Sequence, residues 1–335
     1  MDEFAKLDSR ERNQYFQEAA NRKGLALAII EKDFWVCWTL RRLFELEQFK
    51  DHLTFKGGTS LSKVYKVIER FSEDIDVSIN RVFLGFVGDQ DPEKASSKKQ
   101  SQKLIDKLQA ACQQKITGEL KPALQVSLDS QLPDSKSWRL ESDESDEQTL
   151  LFQYPTINEA HQYVLPQVKI ELGARSDHFP VENAKIAPYV EEEIPGSISD
   201  PECNVRVLSA VRTLWEKATL LHSICNRDEH KAIPLRMSRH YYDLFQMFNT
   251  QIFEEALKQA DLLERVAKHK SIFFKAEWAK YDDALFGTLK LVPPESRIAE
   301  LKSDYDSMQP MFFEKSPSFD EIMNRLKDAE KQINA

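Results

Sequence analysis

The stretch that decides the fold reads Phe55-Lys-Gly-Gly-Thr-Ser60 and is followed by Asp74-Ile-Asp-Val-Ser-Ile79. The first part continues a short strand that begins at Leu53, turns at the adjacent glycines, and predicts a helix from about Ser60 to Arg70. The second part alternates polar and apolar residues, which is the pattern of a half-buried strand. Strand, glycine turn, helix and strand in this order predict an α+β region.

The glycine turn is a candidate phosphate site. Glycine is scarce, with 9 residues in a chain of 335, so the adjacent pair Gly57-Gly58 is an unusual feature. Backbone without side chains can approach a ligand closely, and a helix N-terminus with the hydroxyls of Thr59 and Ser60 suits a phosphate. The alternative is a tight turn without a ligand.

Two aspartates of the following strand are candidate metal ligands. Side chains two residues apart share a face of a strand, so Asp74 and Asp76 project together. Neighbouring carboxylates repel unless a cation joins them, and Mg²⁺ prefers oxygen ligands. Glu171, in Val168-Lys-Ile-Glu-Leu172, can complete the carboxylate set of a two-metal site. The alternatives are an exposed edge face for the aspartates and a solvated ion pair between Lys169 and Glu171.

Composition limits the class of protein. The formal net charge of −9 disfavours a surface that binds polyanions throughout, although local basic patches are compatible with it. The 4 cysteines are far apart and include no CxxC pair, which fits a reducing compartment and gives no zinc or disulfide framework. The N-terminus lacks the apolar core of a signal peptide, and charges interrupt the most apolar stretch, Leu25–Leu46. We expect a cytoplasmic protein with no membrane partner.

The chain is expected to have two parts, residues 1–200 with N-terminal helices and an α+β core, and residues 201–335 with helices. A solvated acidic loop is predicted at Asp134–Glu147. Further strands are predicted at Ala123–Leu128, Thr149–Tyr154 and Tyr163–Leu172.

The helical part contributes two candidate groups. Lys217 lies at the margin of an apolar helix stripe, where its methylenes can follow the core while its ammonium reaches a cleft. Arg236, Arg239, His240 and Asp243 lie at positions i, i+3, i+4 and i+7 of the next predicted helix, so they share one face of it. The alternatives are ordinary snorkelling for Lys217 and a surface ion pair between Arg239 and Asp243.

These motifs together resemble a known family. Phe55-Lys-Gly-Gly-Thr-Ser-Leu-Ser62 and Arg70-Phe-Ser-Glu-Asp-Ile-Asp-Val77 resemble the first motif of the AbiEii/AbiGii nucleotidyltransferase toxins, members of the DNA polymerase β-like nucleotidyltransferase superfamily. Leu214-Trp-Glu-Lys-Ala-Thr-Leu-Leu-His222 resembles the lysine motif of the family, and Arg239-His-Tyr-Tyr-Asp-Leu244 resembles the last motif without its usual Lys-Asp pair. The resemblance spans about Leu25–Phe248.

The resemblance implies a nucleotidyltransferase-type mixed sheet with flanking helices, followed by a helical C-terminal half that completes an active-site cleft. It implies that a nucleotide is transferred from an NTP to an acceptor, with Mg²⁺ as cofactor and pyrophosphate as the leaving group. The implied catalytic residues are Asp74, Asp76, Glu171, Lys217 and Asp243, of which the first three bind the metal. The implied nucleotide-binding residues are Gly57, Gly58, Thr59, Ser60, Lys217 and Arg239.

The resemblance also implies biological partners. The acceptor would be RNA, especially the 3′ end of tRNA, and the protein would be the toxin of a type IV toxin–antitoxin or abortive-infection pair with an antitoxin encoded nearby. Lys94–Lys107, with five lysines and one aspartate, mildly favours RNA because a polyphosphate acceptor needs cationic contacts; the alternative for this run is a solvated helix face. The alternatives are transfer to a small molecule or a protein hydroxyl, and a catalytically inactive interaction module of the same fold.

Overall fold

In a computed structural model of the protein, the structure describes residues 1–132, 134–158, 164–313 and 315–335. The strands of this part are β1 (Leu53–Lys56), β2 (Ile75–Ile79), β3 (Arg139–Ser142), β4 (Thr149–Gln153), β5 (Gln167–Gly173), β6 (Val181–Ile186) and β7 (Cys203–Leu208). They form one sheet in the order β3-β4-β5-β2-β1-β7-β6.

Helices flank the sheet in sequence and fill the C-terminal third of the chain. The α-helices of the described residues are α1 (Asp2–Lys6), α2 (Ser9–Lys23), α3 (Leu27–Phe44), α4 (Gly57–Lys63), α5 (Lys98–Lys115), α6 (Lys121–Gln131), α7 (Tyr189–Glu193), α8 (Ala210–Cys225), α9 (Ser238–Phe248), α10 (Gln251–Leu257), α11 (Ala260–Phe273), α12 (Glu295–Ser307) and α13 (Phe319–Ile333). A π-helical segment, Ile116–Leu120, joins α5 to α6.

The central strands have a mixed arrangement. β1 runs antiparallel to β2 and pairs Lys56 with Asp76. β2 runs parallel to β5 and pairs Asp76 with Glu171, while β1 runs parallel to β7 with Phe55 opposite Val207. This mixed sheet with flanking helices confirms the predicted α+β fold class.

Helix α3 supplies much of the core beside the sheet. Trp35 and Trp38 are fully buried, and both rings pack against Phe152 of β4 at centroid distances of 6.0 and 5.9 Å. Large aromatic side chains bury more apolar area than any other type, so this contact fixes α3 against the sheet.

The charges that interrupt the apolar pattern of α3 are paired inside the fold. Lys32 Nζ lies 2.5 Å from Glu73 Oε2, and Asp33 Oδ1 lies 2.8 Å from Lys63 Nζ of α4. Because a buried charge is tolerated only when it is paired, the charged residues of α3 are compatible with a buried helix. The second pair ties the helix that follows the glycine turn to α3.

Three sequence predictions of local structure are wrong. The helix predicted from about Ser60 to Arg70 is α4, which begins at Gly57 and ends at Lys63. Ala123–Leu128 is not a strand but part of α6: Leu124 and Leu128, four residues apart, are the buried positions, and Pro122 occupies the first turn, where proline is favoured. The predicted acidic loop Asp134–Glu147 contains β3, in which Leu140 is buried. The strand predicted at Tyr163–Leu172 corresponds to β5 from Gln167 onward, and Tyr163 itself lies outside the described residues.

The described chain divides into two compact units. Unit 1 comprises residues 1–64, 71–90 and 103–207, and it holds most of the sheet with helices α1–α4, most of α5, and helices α6 and α7. Unit 2 comprises residues 65–70, 91–102 and 208–335, and it holds the C-terminal helices. The division into 1–200 and 201–335 remains a prediction, but two short segments from the first 200 residues belong to unit 2. In the described residues, no helix has the length and apolar character that crossing a membrane requires.

Candidate active site

Carboxylates meet on neighbouring strands of unit 1. Asp76 of β2 lies directly opposite Glu171 of β5, and the two side chains are close enough to hydrogen-bond. Asp74 immediately precedes β2, two residues before Asp76, so both project from the same face. The parallel pairing of β2 with β5 therefore places Asp76 beside Glu171, which is distant in sequence, and the charges of both act on Asp74.

The pKa of Asp74 is raised by its burial and by the carboxylates around it. Burial raises its pKa to about 6, and the negative charges of Glu73, Glu171 and Asp76 act in the same direction. A carboxylic acid with a raised pKa beside other carboxylates is in an environment that a cation would stabilise.

Lysines partly neutralise the other two carboxylates. Lys169 forms an ion pair with Glu171, as the alternative interpretation of that strand expected, and Lys56 Nζ lies 3.9 Å from Asp76 Oδ1. Burial acts to raise the pKa of Glu171, but the hydrogen bond and charge of Lys169 outweigh it and the pKa is lowered. Glu171 is thus ionised at neutral pH, whereas Asp74 holds its proton more strongly.

The chemistry of these residues suits a metal ion, but in the described part of the chain their arrangement does not yet form a complete site. All the donors are carboxylate oxygens, the ligand type that Mg²⁺ prefers, and the neighbouring carboxylates add to the effect of burial in raising the pKa of Asp74. No group of three or more His, Cys, Asp or Glu side chains in residues 1–132, 134–158, 164–313 and 315–335 is already arranged to hold a metal ion. Asp76 and Glu171 face each other across β2 and β5, and a metal site formed by Asp74, Asp76 and Glu171 stays a prediction.

The glycine turn shapes the surroundings of Asp76. Gly57 has a φ of +80°, a conformation that side chains rarely adopt. A Cβ atom on Gly57 would lie 1.9 Å from Asp76 Oδ2, so the absent side chain provides the space that the carboxylate occupies. Glycine is therefore required at position 57 because the Asp76 carboxylate occupies the space of a side chain there.

We expect Gly57→Ala to abolish nucleotidyl transfer, because the new methyl group displaces the Asp76 carboxylate. The matched control is Gly24→Ala: Gly24 also has a positive φ, of +71°, but a Cβ there has no neighbour within 4 Å. Both variants should lose about 1 kcal/mol of stability from the strained backbone. Radiolabel transfer and urea unfolding check this, and equal activity of the two variants would contradict the role given to Gly57.

The hydroxyls that follow the turn are engaged within the protein. Thr59 Oγ1 donates to the carbonyl oxygen of Asp74 at 2.5 Å and lies 3.0 Å from Ser72 Oγ. Ser60 Oγ donates to the carbonyl oxygen of Gly57 at 2.9 Å. Both residues are buried, so the structure uses their hydroxyls to fix the turn and the chain before β2. A contact of Gly57, Gly58, Thr59 or Ser60 with nucleotide phosphates stays a prediction.

His178, not singled out from the sequence, links strands β1 and β2. Thr54 of β1 and Ser78 of β2 are register partners, and His178 joins them, with Nδ1 3.0 Å from Thr54 Oγ1 and Nε2 2.8 Å from Ser78 Oγ. Burial lowers the pKa of His178 to about 4, and the charge of Arg206 adds to the effect. His178 is therefore neutral at physiological pH and serves to join the two strands.

Unit 2 contains a second cluster around Asp243 of α9. Arg70 binds this carboxylate with two parallel hydrogen bonds, from Nε to Oδ1 at 2.7 Å and from Nη2 to Oδ2 at 2.8 Å. Lys217 Nζ of α8 donates to Oδ2 at 2.8 Å. Asp243 is fully buried, and the Arg70 and Lys217 side chains are 3% and 9% exposed, so the ion pairs are shielded from water.

The surface ion pair between Arg239 and Asp243 that helix spacing allowed is not formed in the described residues, because Asp243 points inward to Arg70 and Lys217. Arg239 remains partly exposed, and its charge acts on Lys217 from nearby. His240 Nδ1 lies 3.3 Å from Lys217 Nζ. Within unit 2, the structure thus places Lys217 in contact with Asp243 and places Arg239 near enough for its charge to act on Lys217.

Charge balance fixes the protonation states in this cluster. Burial acts to raise the pKa of Asp243, but Arg70 and Lys217 outweigh it and hold the pKa well below its usual range. Burial lowers the pKa of Lys217, and Asp243 opposes this shift without cancelling it. Burial, with the charge of Lys217, keeps His240 neutral by lowering its pKa.

The described residues thus hold carboxylates paired across neighbouring strands in unit 1 and a separate buried lysine cluster in unit 2. The chain belongs to the AbiEii family of nucleotidyltransferase toxins of type IV toxin–antitoxin systems, and the family matches residues 38–325. This confirms the predicted family and the predicted enzyme class, nucleotidyltransferase. Membership implies a nucleotide substrate and an antitoxin partner.

Two solved structures are similar to this chain at low sequence identity and low TM-score. MenT4, a nucleotidyltransferase toxin from Mycobacterium tuberculosis, is 14% identical, with 88% of this chain and 98% of that chain covered and a TM-score of 0.36. JHP933 from Helicobacter pylori is 14% identical, with 94% and 93% covered and a TM-score of 0.37. A search of curated proteins finds no match.

Proposed function

We propose that the protein is a Mg²⁺-dependent toxin that transfers a nucleotide from an NTP to an RNA acceptor, the 3′ end of tRNA, and thereby blocks translation and growth. The observation that carries the proposal is the pairing of Asp76 with Glu171 beside Asp74, in a chain of a nucleotidyltransferase family. Pyrophosphate would leave as the acceptor hydroxyl attacks the α-phosphate.

In this proposal Asp74, Asp76 and Glu171 hold the metal. When bound, Mg²⁺ would neutralise the triphosphate and make the attacking hydroxyl more acidic. Glu171 is the candidate base for the hydroxyl proton, because the pKa of its carboxyl is lowered and the group is ionised. Gly57 and Gly58, with Thr59 and Ser60, would border the β- and γ-phosphates.

Lys217 is proposed to bind the triphosphate. An ammonium group has three hydrogen-bond donors, and the described contacts of Lys217 account for two of them, one to Asp243 and one to His240. The third donor is available for a phosphate oxygen. Arg239 would add a second positive charge, and Asp243 would hold Lys217 rather than touch the nucleotide.

RNA as the acceptor is supported by charge. All five lysines of the run Lys94–Lys107 are exposed, which gives an acidic protein a local surface for phosphate backbones. The antitoxin, expected from a neighbouring gene, would control the activity.

The test is incubation with each labelled NTP, Mg²⁺ and total RNA, followed by separation of RNA, protein and small molecules. Label at the 3′ end of tRNA is the expected result. Label in the protein or small-molecule fraction would instead support one of the alternative acceptors. A protein that binds no NTP in the presence of Mg²⁺ would be an inactive interaction module.

The raised pKa of Asp74 gives a prediction for the metal-free protein. Its folded pKa of about 6 exceeds the roughly 3.9 of an unfolded aspartate, so the folded state binds more protons and stability falls as the pH rises through this window. We expect the melting temperature of the wild type, relative to Asp74→Asn, to fall from pH 5 to pH 7. Mg²⁺ should stabilise the wild type more at pH 7 than at pH 5. Differential scanning calorimetry tests both, and a pH-independent difference between the proteins would contradict the assignment.

A further inference from the structure

The segment that carries Arg70 is held in place by its backbone. Arg70 forms an isolated β-bridge with Phe312, and the backbone N–H of Phe313 donates to the carbonyl oxygen of Glu69 at 3.1 Å. The hydroxyl of Tyr242 accepts a hydrogen bond from the N–H of Glu69 at 3.3 Å. These contacts, all within unit 2, fix the point from which the Arg70 side chain extends.

The Arg70 side chain then fixes the orientation of Asp243. A guanidinium is planar and binds a carboxylate through two parallel bonds, so it determines the plane of the carboxylate as well as its position. Nε and Nη2 of Arg70 bind Oδ1 and Oδ2 respectively. A single-point contact would leave the carboxylate free to rotate about its Cβ–Cγ bond.

The oriented carboxylate directs Lys217. Oδ2 of Asp243 accepts from both Arg70 and Lys217, which is possible because a carboxylate oxygen has two acceptor directions. Once one direction is occupied by Arg70, the other defines where the Lys217 ammonium sits. His240 Nδ1, which can accept because the ring is neutral, occupies a second donor of the ammonium.

We propose that Arg70 is a positioning residue of nucleotidyl transfer, which acts through Asp243 to aim the remaining N–H donor of Lys217 at the NTP triphosphate. This rests on the proposed function, in which Lys217 binds the triphosphate. Arg70 itself contacts no substrate. Its effect on the nucleotide therefore depends on the presence of Lys217.

A double-mutant cycle on NTP binding tests this dependence. The dissociation constants of ATP, GTP, CTP and UTP with Mg²⁺ are measured for the wild type, Arg70→Gln, Lys217→Met and the double variant. We expect Arg70→Gln to weaken binding of the preferred NTP by about tenfold in the wild-type background and by less than about twofold when Lys217 is methionine. Equal losses in the two backgrounds would overturn the proposal, because a general structural role does not require Lys217.

Arg297→Gln is the matched control. Arg297 is also a buried arginine of unit 2, 5% exposed, and it donates to Glu300 and to the carbonyl oxygens of Asp228 and Lys231. We expect it to lower stability without changing the dissociation constant. A loss of NTP binding in Arg297→Gln equal to that in Arg70→Gln would show that any buried arginine has this effect, and would overturn the proposal.

Arg70→Lys covers the case in which Arg70→Gln does not fold. Lysine keeps the positive charge but loses the two-bond contact, so binding should weaken in the same Lys217-dependent way; wild-type affinity in Arg70→Lys would contradict positioning by the guanidinium plane. If the wild type binds none of the four nucleotides, the proposed function itself is overturned. If the wild type binds an NTP and Arg70→Gln binds it with the same affinity, only the role of Arg70 is overturned.

Discussion

Asp76→Asn should reduce nucleotidyl transfer by roughly a thousandfold or more, because a metal ligand in such a site contributes several kcal/mol to the transition state. Asparagine keeps the size of the side chain and removes its charge. The substitution removes one of the two carboxylates that face each other across β2 and β5 and leaves Lys56 near a neutral group. Transfer of label from NTP to RNA measures the effect.

The matched control is Glu141→Gln on β3, an exposed carboxylate of the same sheet that pairs with Leu151 of β4. It should transfer label as the wild type does. If Asp76→Asn and the wild type transferred label at the same rate, the site on β2 and β5 would not be the catalytic one. Expression in a bacterial host gives a second readout, since Asp76→Asn should relieve growth arrest.

Asp243→Ala should destabilise the protein by about 3–5 kcal/mol, because it leaves two buried cations without their anion. Arg70 cannot lose its charge at accessible pH, and its side chain is 3% exposed. Lys217 can respond by losing its proton, since burial already lowers its pKa. Urea unfolding monitored by circular dichroism measures the loss.

Asp261→Ala, at an exposed aspartate in the first turn of α11, is the control and should change stability by less than about 0.5 kcal/mol. A similarly small change in Asp243→Ala would mean that the buried ion cluster is not formed.

Lys217→Ala separates stability from chemistry. Asp243 keeps Arg70 as its partner, so the protein should fold while growth arrest is relieved. Persistent toxicity of a folded Lys217→Ala protein would show that this lysine is not needed for transfer.

Local pattern was sufficient to predict β1, the glycine turn and β2, because alternation and turn chemistry are properties of neighbouring residues. It was not sufficient to show that Asp76 faces Glu171 directly, since the pairing of β2 with β5 depends on long-range packing. The helix spacing of Arg239 and Asp243 allowed, as an alternative, an ion pair between them; Asp243 is instead buried and binds Arg70, whose two-bond contact satisfies both carboxylate oxygens.

Two further features had no local signal. His178 joins Thr54 to Ser78 without a motif that connects those positions. Ala123–Leu128 was predicted as a strand, but Leu124 and Leu128 are buried on one side of a helix instead. In both cases the missing information was which other part of the chain packs against the segment.

The interleaving of the two units restricts how this protein can evolve. Residues 65–70 belong to unit 2 although unit 1 precedes and follows them, and Arg70 of that hexapeptide neutralises Asp243. A single recombination junction near residue 208 therefore does not transfer the whole of unit 2 from one related toxin to another, because it leaves residues 65–70 behind. A chimaera joined there inherits its arginine from one parent and its aspartate from the other. Only parents whose hexapeptides and helices are already compatible will yield a folded hybrid, so the two halves of the gene are expected to descend together.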